Sequence, residues 1–592
     1  MCGIAGCFSE KGCYEKLLRT LRRLEYRGYD SAGIALLRKN RPRGGYGFSV
    51  RKKRGYVSAL DGTRLSGSTG IGHTRWATHG APSDVNAHPH VAGKFALVHN
   101  GIVENYAALR EELTAAGETF VSETDSEVIV RLVSRCYKGD FFAAVRDACA
   151  RLEGSYAVAV LCTDFPGEIV CARKKSPLVA AAGKNALYVC SDVPALAGEA
   201  EFFCPAGDGE FIRIAGGKIF LCDGDGKEIE RPFVRLAAQS ALPEKGEGSF
   251  MEKEIAEIPQ ALADTLKSLR RTDFAPCARP LRGAKRLFAV ACGTAYHAAL
   301  ALRDMVEEEV KIPVLCHTAS EFRYRSPLIG EGDVLVAISQ SGETADTLEA
   351  ARGAKERGAY VVAVTNAAHS SLAALADFSL LLRAGPEIAV AATKSYVCQL
   401  LCAWYLAAQT LFFKQTRLPA WFGELDRLPE AARAALGCGV SALAEQFSGA
   451  RGMYFLGRGQ DVVTAMEGAL KVKEIAYIFA EGYAAGELKH GTLALVEEGF
   501  PVAAACTVRA LAPKTCNALA EVKARGGVTV LLSQYRDLAA AADVFVALPP
   551  LPEPLMPAVA VIPLQKFACD MCRRRGYDPD KPRNLAKSVT VE

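Results

Sequence analysis

Short apolar runs, each ending at glycine or at a polar residue, fill the first 238 residues of the chain. FALVHNG (95–101), SYAVAVLC (155–162) and ALYVCSD (186–192) are examples. Runs of this length between turn residues predict the strands of an α+β domain. The pattern lapses in AAQSALPEKGEGS (237–249), where proline, glycine and charge without periodicity predict a linker at 239–249.

A different pattern follows the linker. The apolar runs RLFAVACGT (286–294), VLVAISQSGET (334–344) and YVVAVTN (360–366) are separated by stretches of helical character. Apolar strands that alternate with helices are typical of a parallel sheet covered on both faces. We therefore expect α/β structure in this part of the chain.

The second half of the chain contains an internal repeat. RGMYFLGRGQ (451–460) resembles RLFAVACGTA, and VKARGGVTVLLSQ (522–534) resembles AKERGAYVVAVTN (354–366), at offsets of 165 and 168 residues. A duplicated α/β domain is the simplest explanation. The predicted boundaries are 2–238 for the first domain, 239–249 for the linker, 250–425 and 426–576 for the two repeats, and 577–592 for the tail.

The composition is that of a globular protein with several domains. The 592 residues are 50% hydrophobic and carry a formal net charge of +5, which excludes general disorder and argues against nucleic acid or an acidic membrane as the main partner. The 20 cysteines are scattered, and the N-terminus lacks a basic region followed by a long apolar core. We expect a cytoplasmic protein with reduced thiols.

Two further patterns have ordinary structural interpretations. The stretch Ser395–Phe413 has no charged side chain and is long enough for a membrane span, but Gln399, Gln409 and the surrounding α/β pattern favour a buried core helix. Cys569 and Cys572 form a lone CxxC without a second pair, so we expect a turn of core helix and no metal site. No organic cofactor is implied either.

Cys2 is the first candidate for chemistry. Removal of Met1 would leave it at the N-terminus, where its own α-amine, with a pKa of about 8, can act as the base for its thiol. An ordinary buried cysteine near a chain end is the alternative.

Several motifs that follow Cys2 favour the nucleophile. They are CGIAG (2–6), RRLEYRGYDSAGIA (22–35), GHTRWATHG (72–80), NAHPH (86–90), HNGIVEN (99–105) and SETDSEVI (122–129). Together they closely resemble the glutaminase domain of the class II, or N-terminal nucleophile, glutamine amidotransferases. The resemblance covers most of residues 2–238 and implies an α+β domain with the αββα layering of that family.

The resemblance also implies residue roles. Cys2 would attack the side-chain amide of L-glutamine, while Asn100 and the backbone N–H of Gly101 form the oxyanion hole. Arg75 would bind the α-carboxylate and Asp125 the α-ammonium group. The remaining glutamine-binding candidates are Trp76, Thr78, His79 and Gly80.

As a hypothesis, Trp76 also gates the passage of ammonia, so that Trp76→Ala would keep glutaminase activity but uncouple it from transfer. The run from Thr124 to Glu127 is a capping-box pattern and predicts a helix start.

SQSGET (339–344) lies between an apolar strand and a helix. Its hydroxyl groups and the free N–H groups of a helix start suit a phosphate monoester, although such a turn is often only a helix cap. With ACGTAYH (291–297) and the duplication, it resembles the sugar-isomerase (SIS) family of phosphosugar-binding domains. The implied sugar-phosphate residues are Gly293, Thr294, Ser339, Gln340, Ser341, Thr344, Val390 and Ala586.

Residues 463–480 have the period of one amphipathic helix, with Glu467, Lys471 and Glu474 on one face. EGALKVKE, YAAGELKHG and the terminal PRNLAKSVTVE resemble the isomerase part of the amidotransferases that form amino-sugar phosphates. The implied reaction converts D-fructose 6-phosphate and L-glutamine to D-glucosamine 6-phosphate and L-glutamate, the entry step of amino-sugar synthesis.

In that reaction Lys587 would form a Schiff base with the open-chain ketose, and His490 would handle the ring-opening proton. Glu474 would move the proton between C1 and C2, and Lys471 would stabilise the enolamine. The family implies a homodimer or larger assembly with a histidine lent by the neighbouring subunit. Three positions depart from the family pattern: Ala295, Ala392 and Thr492.

Two other functions remain open at this point. One is a class II amidotransferase with a different acceptor, such as a phosphoribosyl compound, although we find no acidic diphosphate-binding loop. The other is a non-catalytic phosphosugar sensor, against which the motifs around Cys2 argue.

Overall fold

The computed structural model describes residues 2–39, 44–62, 64–236, 248–325 and 328–590. The chain forms two compact units, residues 1–244 with 586–592 (unit 1) and residues 245–585 (unit 2). Most of the predicted linker, residues 239–247, lies outside the described residues. The predicted domain boundaries stay predictions.

Unit 1 is built on two antiparallel sheets. The strands are β1 (Gly3–Phe8), β2 (Ser31–Lys39), β3 (Tyr46–Arg54), β4 (Thr69–Arg75), β5 (His90–Ala92), β6 (Phe95–Val103), β7 (Gly154–Cys162), β8 (Ile169–Lys174), β9 (Val179–Gly183), β10 (Ala186–Cys190), β11 (Phe202–Pro205), β12 (Phe211–Ala215), β13 (Lys218–Cys222) and β14 (Val234–Arg235). The larger sheet has the order β14-β11-β9-β10-β1-β4-β2-β3, and the smaller β13-β12-β8-β7-β6-β5. The helices are α1 (Tyr14–Leu24), α2 (Tyr106–Ala115), α3 (Ser126–Cys136) and α4 (Phe141–Cys149).

Three apolar layers hold unit 1 together. Ile71 of the larger sheet and Val98 of the smaller one belong to the core between the two sheets. Helix α1 packs its buried leucines on the outer face of the larger sheet, and α3 with α4 covers the outer face of the smaller sheet. The layering is therefore αββα, and the predicted α+β glutaminase-type fold is confirmed. Each strand of the sandwich must alternate its side chains between the two sheet faces, which decides where polar residues can point.

Unit 2 contains two parallel sheets. The first repeat holds β15 (Leu287–Ala291), β16 (Val314–Thr318), β17 (Val334–Ile338), β18 (Tyr360–Thr365) and β19 (Phe378–Leu381). The second repeat holds β20 (Gly452–Gly457), β21 (Phe479–Ala484), β22 (Pro501–Ala505), β23 (Val528–Ser533) and β24 (Val544–Ala547). The orders, β16-β15-β17-β18-β19 and β21-β20-β22-β23-β24, are the same, which confirms the predicted duplication and the parallel α/β class.

Helices cover both sheets of unit 2. They are α5 (Phe250–Ala256), α6 (Ile258–Leu269), α7 (Ala275–Gly283), α8 (Thr294–Glu309), α9 (Ala319–Arg325), α10 (Ala345–Glu356), α11 (Ser371–Leu375), α12 (Lys394–Gln415), α13 (Leu428–Leu436), α14 (Ser441–Gln446), α15 (Asp461–Lys471), α16 (Ala512–Lys523) and α17 (Pro557–Arg574). Two helical stretches, Lys394–Gln415 and Glu553–Arg574, are long and apolar enough to cross a membrane, but 83% and 89% of their most apolar windows are buried inside unit 2. The charge-free stretch is thus a core helix, as predicted. The Cys569 and Cys572 thiols are buried in α17.

The strand order determines where ligands can bind in unit 2. In a sheet of this order, the chain leaves the strands in opposite directions beside the first strand of each repeat, and a crevice opens at the carboxyl ends of the strands there. In the first repeat this point lies between β15, followed by Gly293 and Thr294, and β17, followed by Ser339. Of the predicted sugar-phosphate residues, Gly293, Thr294 and Ser339 therefore lie at the crevice.

The single helix predicted for 463–480 is wrong in its last four residues. Helix α15 ends at Lys471 and passes into a π-helical turn, Val472–Ala476, that stops at Tyr477 with a positive φ of 54°. The chain then pairs with β20 as strand β21, in the register Gly452↔Phe479. Pairing along the sheet edge outweighs the helical period, which continues in sequence past the true end of the helix.

The beginning of the tail folds onto unit 2. The carboxylate of Asp580 accepts hydrogen bonds from the backbone N–H groups of Phe250 and Met251, both at 2.9 Å, and so caps α5. The backbone N–H of Arg583 donates to the hydroxyl of Tyr477 at 2.8 Å, and its guanidinium stacks on that ring.

Candidate active sites in the two units

The Cys2 thiol is held by the backbone of the strand beside it. Because β1 pairs with β4 in the register Gly3↔Thr74, Cys2 lies opposite Arg75 and Trp76. The backbone N–H of Trp76 donates to Sγ at 3.3 Å, and the thiol donates to the carbonyl of Trp76 at 3.4 Å. Burial raises the pKa of the Cys2 thiol. A base is therefore needed to form the nucleophilic thiolate.

Asn100 and Gly101 follow each other on β6, next to Cys2. The Nδ2 group of Asn100 donates to the carbonyl oxygen of Cys2 at 3.0 Å. Gly101 has a φ of +136°, and a Cβ there would overlap the backbone of Ser155, so no other residue fits. An asparagine amide N–H₂ next to Cys2 and the backbone N–H of the following glycine are groups of the kind that an oxyanion hole requires.

Arg75 is a buried cation with a free donor. Its Nη2 donates to the carbonyls of His79 and, at 2.9 Å, Gly80. Its Nη1 is buried and has no hydrogen-bond partner among the described residues. Burial lowers the pKa of Arg75, while Cys2, Asp30 and Asp125 act in the opposite direction. An unpaired guanidinium N–H suits a carboxylate ligand.

The Asp125 carboxylate is held inside the unit and does not cap a helix. Oδ2 accepts from the backbone N–H of Val103 at 2.9 Å, and Oδ1 from the hydroxyl of Ser126 at 3.3 Å. Helix α3 begins at Ser126, as predicted, but the capping box does not form. Glu127 instead accepts from the backbone N–H groups of Val121 and Ser122, because its carboxylate turns back over the preceding loop.

The other predicted glutamine residues lie in one loop after β4. Thr78 is exposed, and Trp76, His79 and Gly80 are partly buried. The Trp76 ring meets Tyr29 edge-on at 5.9 Å between centroids, and His79 meets Tyr106 at 5.1 Å. Their roles towards glutamine stay predictions.

In unit 2 the turn after β17 presents a set of hydroxyls and N–H groups. The hydroxyls of Ser339 and Thr344 are 2.9 Å apart, and the backbone N–H of Gly342 donates to Ser339 at 3.1 Å. Gly342 has a φ of +66°, and a Cβ there would overlap Ser370. Thr344 precedes α10 without a side-chain capping bond, so the helix start keeps its N–H groups for an anion.

Lys471 is the centre of a buried charged cluster. Its Nζ donates to the Thr294 hydroxyl at 2.9 Å and lies 2.6 Å from Glu474 and 3.3 Å from Glu467. Burial pushes the pKa of Lys471 down, but the two carboxylates outweigh it and raise the pKa to about 12. The lysine is thus a cation beside Thr294, with Glu474 only partly buried.

Sequence reasoning missed two members of this cluster. The Glu467 carboxylate, completely buried, also accepts from Thr294 at 3.1 Å and contacts His297 Nδ1 at 2.6 Å. Sequence reasoning placed Glu467 on the right helix face but gave it no function. His297 closes the ACGTAYH motif on the first turn of α8, which was the available signal. The cluster joins α8 of the first repeat to α15 of the second.

Other predicted isomerase residues lie outside this cluster. His490 is exposed on the 3₁₀ turn Glu487–His490 and makes no hydrogen bond to the cluster within the described chain. The backbone N–H of Val390 donates to the carbonyl of Asp580 in the tail, at 3.3 Å. Gln340 accepts from the backbone of Asn366 through its carbonyl. Lys587 and Ala586 are grouped with unit 1, and their roles stay predictions.

Comparisons with known proteins agree with both units. The glutamine amidotransferase domain family matches residues 73–198, and the SIS domain family matches residues 280–409 and 446–572. A Symbiobacterium thermophilum protein named glutamine–fructose-6-phosphate aminotransferase (isomerizing) is 45% identical over 615 residues, with 100% of both chains covered. A Mycobacterium tuberculosis protein of the same name is 42% identical over 635 residues, again with 100% of both chains covered.

Solved structures resemble unit 2. The C-terminal domain of glucosamine-fructose-6-phosphate aminotransferase from Francisella tularensis superposes with a TM-score of 0.54 at 33% identity, covering 58% of this chain and 100% of that one. A putative phosphosugar isomerase from Clostridium difficile, with a TM-score of 0.51 at 18% identity, covers 57% of this chain and 96% of that one and shows the fold alone. Both resemblances seen in the sequence are confirmed, and the chain belongs to the isomerizing glutamine–fructose-6-phosphate aminotransferase family.

Proposed function

We propose that this enzyme converts D-fructose 6-phosphate and L-glutamine to D-glucosamine 6-phosphate and L-glutamate. The observation that carries the proposal is the presence of two chemically different sites in one chain. Unit 1 holds a thiol beside oxyanion donors, and unit 2 holds the buried Lys471 pair beside a turn suited to phosphate. A glutaminase alone would not need the second site, and a phosphosugar sensor would not need the first.

In unit 1 the α-amine of the mature N-terminus takes the proton of Cys2, and the thiolate attacks the amide carbon of glutamine. The oxyanion that forms is stabilised by the Asn100 side chain and the N–H of Gly101. Collapse of the intermediate breaks the C–N bond, and the proton goes to the leaving ammonia. Water then cleaves the thioester to give glutamate and restore the thiol. Arg75 and Asp125 hold the α-carboxylate and the α-ammonium.

In unit 2 the turn at Ser339 binds the sugar phosphate. Lys587 condenses with C2 of the open-chain ketose, with loss of water, and ammonia displaces the lysine to leave an imine at C2. Glu474 removes a proton from C1 and returns one to C2, which yields the aldose amine. Lys471, a cation at every physiological pH, stabilises the negative charge that develops between these steps.

His490 supplies the ring-opening proton in this proposal. Because it is exposed and lies outside the Lys471 cluster of its own chain, we expect it to act in a homodimer or larger assembly, at the site of a second copy.

The direct test is to incubate the purified enzyme with glutamine and fructose 6-phosphate and to measure both products. Equal amounts of glutamate and glucosamine 6-phosphate are expected. Cys2→Ala should abolish both, whereas Lys587→Ala should abolish only the amino sugar. Glutamate without any amino sugar in the wild type would favour another acceptor, and tight binding of the sugar without either product would favour a sensor.

A further inference from the structure

Four buried histidines lie together in unit 1, next to the predicted oxyanion hole. They are His73, His88, His90 and His99, and each is at most 3% exposed. His73 lies two residues after Ile71 on β4, and therefore shares the face of that strand that points between the sheets. Its ring stacks on His88 with 4.0 Å between centroids. No step of the glutaminase reaction described above uses these rings.

The hydrogen-bond partners of His73 determine which of its nitrogens carries the hydrogen. Nε2 lies 2.9 Å from the carbonyl oxygen of His99 and 3.0 Å from Oδ1 of Asn100. A carbonyl oxygen can only accept, so Nε2 must be the N–H group and must donate to both. Burial, aided by the nearby charge of Arg75, lowers the pKa of His73 to about 3, so the ring is neutral and Nδ1 carries no proton.

The orientation of the Asn100 amide follows from this tautomer. Its oxygen faces the N–H of His73, so its nitrogen faces Cys2, where it donates to the Cys2 carbonyl at 3.0 Å. A rotation by 180° would set N–H against N–H on one side and oxygen against oxygen on the other. Both contacts would then be repulsive, and two buried hydrogen bonds would be lost.

We propose that His73 is the positioning residue of the oxyanion hole, whose Nε2–H fixes the Asn100 amide with its N–H₂ group towards Cys2. His88 supports this arrangement, because its Nδ1 accepts from the backbone N–H of His99 at 3.3 Å and its ring stacks on His73. The proposal deepens the proposed function and rests on it, since it assigns a role within the glutaminase reaction. It also excludes His73 as a general base, because a neutral imidazole with so low a pKa is a poor proton acceptor.

His73→Phe is the first test, because it keeps an aromatic ring against His88 but removes the donor. Deleting an oxyanion donor outright costs about 10²- to 10³-fold in kcat, so losing only its orientation should lower the glutaminase kcat about 10- to 100-fold. The KM for glutamine should change less than about twofold, because Arg75 and Asp125 are untouched. Alkylation of Cys2 by iodoacetamide forms no oxyanion and should keep its rate.

A double-mutant cycle separates positioning from general disruption. In an Asn100→Ala background, His73→Phe should cost less than about a further twofold in kcat, because the amide on which it acts is absent. His90→Phe is the matched control: this ring is equally buried but contacts Thr124, not Asn100, and the variant should keep a kcat close to that of the wild type. If His73→Phe lowered kcat by the same factor in the Asn100→Ala background as in the wild type, the proposal would be overturned.

The tautomer itself can be measured without turnover. Protein labelled with ¹⁵N at its nine histidines, with His73→Gln used for assignment, should show His73 as a neutral ring with its hydrogen on Nε2 at pH 6. A hydrogen on Nδ1, or a protonated ring, would contradict the proposal even if His73→Phe did not fold. A wild-type enzyme that makes no glutamate would instead refute the proposed function and leave this measurement intact.

Discussion

In the first repeat of unit 2, the hydroxyls of the turn after β17 bond to each other, and the first N–H groups of α10 receive no side-chain cap from Thr344. In the second repeat, the corresponding crevice is filled by the protein itself. The buried Asp461 carboxylate accepts from the backbone N–H and the hydroxyl of Thr507, at 2.7 and 2.6 Å. The Asp461 carboxylate thus accepts hydrogen bonds from the second turn as a bound phosphate would from the first. The same strand order is compatible with a turn that binds a ligand and with a turn bound by a protein carboxylate.

The second repeat contributes to the charged cluster instead. Its helix α15 carries Glu467 and Lys471 to Thr294, at the start of α8 in the first repeat. In the proposed reaction, one copy of the duplicated fold binds the phosphate, and the other supplies the buried cation and the base.

The largest effect should come from removing that cation. Lys471→Met removes the cation that lies between two carboxylates, one of them fully buried, which should cost about 3–5 kcal/mol of stability. Amino-sugar formation should fall about 10²- to 10³-fold, whereas glutamate formation by unit 1 continues. Lys473→Met, on the π turn that follows Lys471 but exposed, is the matched control. Equal rates for the two variants would contradict the division of labour between the repeats.

The buried Asp461 carboxylate in the second crevice should make the stability of the protein depend on pH. Burial raises the pKa of Asp461 from 3.8 to about 6, against the hydrogen bonds from Thr507. A raised carboxyl pKa favours the folded state below pH 4, and this advantage is lost as the pH rises through 6. Between pH 4 and pH 8, the unfolding free energy of Asp461→Asn should therefore gain about 3 kcal/mol relative to the wild type.

Asp543, in the same repeat, provides a control of opposite sign. Burial acts to raise its pKa, but hydrogen bonds from Thr529 and the charge of Lys523 outweigh this and lower the pKa to about 2. Its stabilising contribution is present above pH 4 and is lost as the pH falls through 2. Above pH 4, Asp543→Asn should be less stable than the wild type. As the pH falls from 4 to 2, this difference in the free energy of unfolding, measured with urea, should disappear. Parallel pH profiles for the Asp461 and Asp543 variants would show that Asp461 is not held as described.

A smaller effect distinguishes the two turns directly. Ser339→Ala removes one hydroxyl from the open turn and should raise the KM for fructose 6-phosphate about tenfold, because a hydrogen bond to a charged group contributes about 1.5 kcal/mol. Thr507→Ala, in the turn of the second repeat, should leave this KM within about twofold, since the Thr507 hydroxyl donates to Asp461. Steady-state kinetics with varied sugar phosphate measure both. A similar rise in both variants would mean that the second crevice binds the ligand too.

The smallest expected change is at Ala295, where the family usually has serine. This residue lies on the first turn of α8 beside Thr294, so a hydroxyl there would add a donor near the phosphate. Ala295→Ser should lower the KM for fructose 6-phosphate about two- to fivefold with little change in kcat. An unchanged KM would show that position 295 does not face the phosphate.

The sequence predicted what depends on local pattern. The runs at 95–101 and 334–338 are strands, the repeat is real, and Asn100 lies against Cys2 as the motif order implied. Features that depend on residues far apart in the sequence were not predicted. The residues His297 and Glu467 are 170 positions apart, so their motifs could mark each residue but could not show that the two side chains meet.

The other misses have physical reasons too. The helical period continues beyond Lys471, so only the pairing of β21 with β20 reveals where the helix stops. The run from Thr124 to Glu127 has the composition of a capping box, but neighbouring backbone groups compete more effectively for the Asp125 and Glu127 carboxylates. The tautomer of His73 depends on a carbonyl that only the folded sandwich brings near.

The central claim is that nitrogen released at Cys2 is the nitrogen that enters the sugar. It is tested most directly with glutamine labelled with ¹⁵N at the amide, in the presence of fructose 6-phosphate and an excess of unlabelled ammonium. The account predicts glucosamine 6-phosphate in which nearly every amino group carries ¹⁵N, in equal amount to glutamate. Product that takes its nitrogen from the bulk ammonium, or glutamate formed without labelled amino sugar, would contradict it.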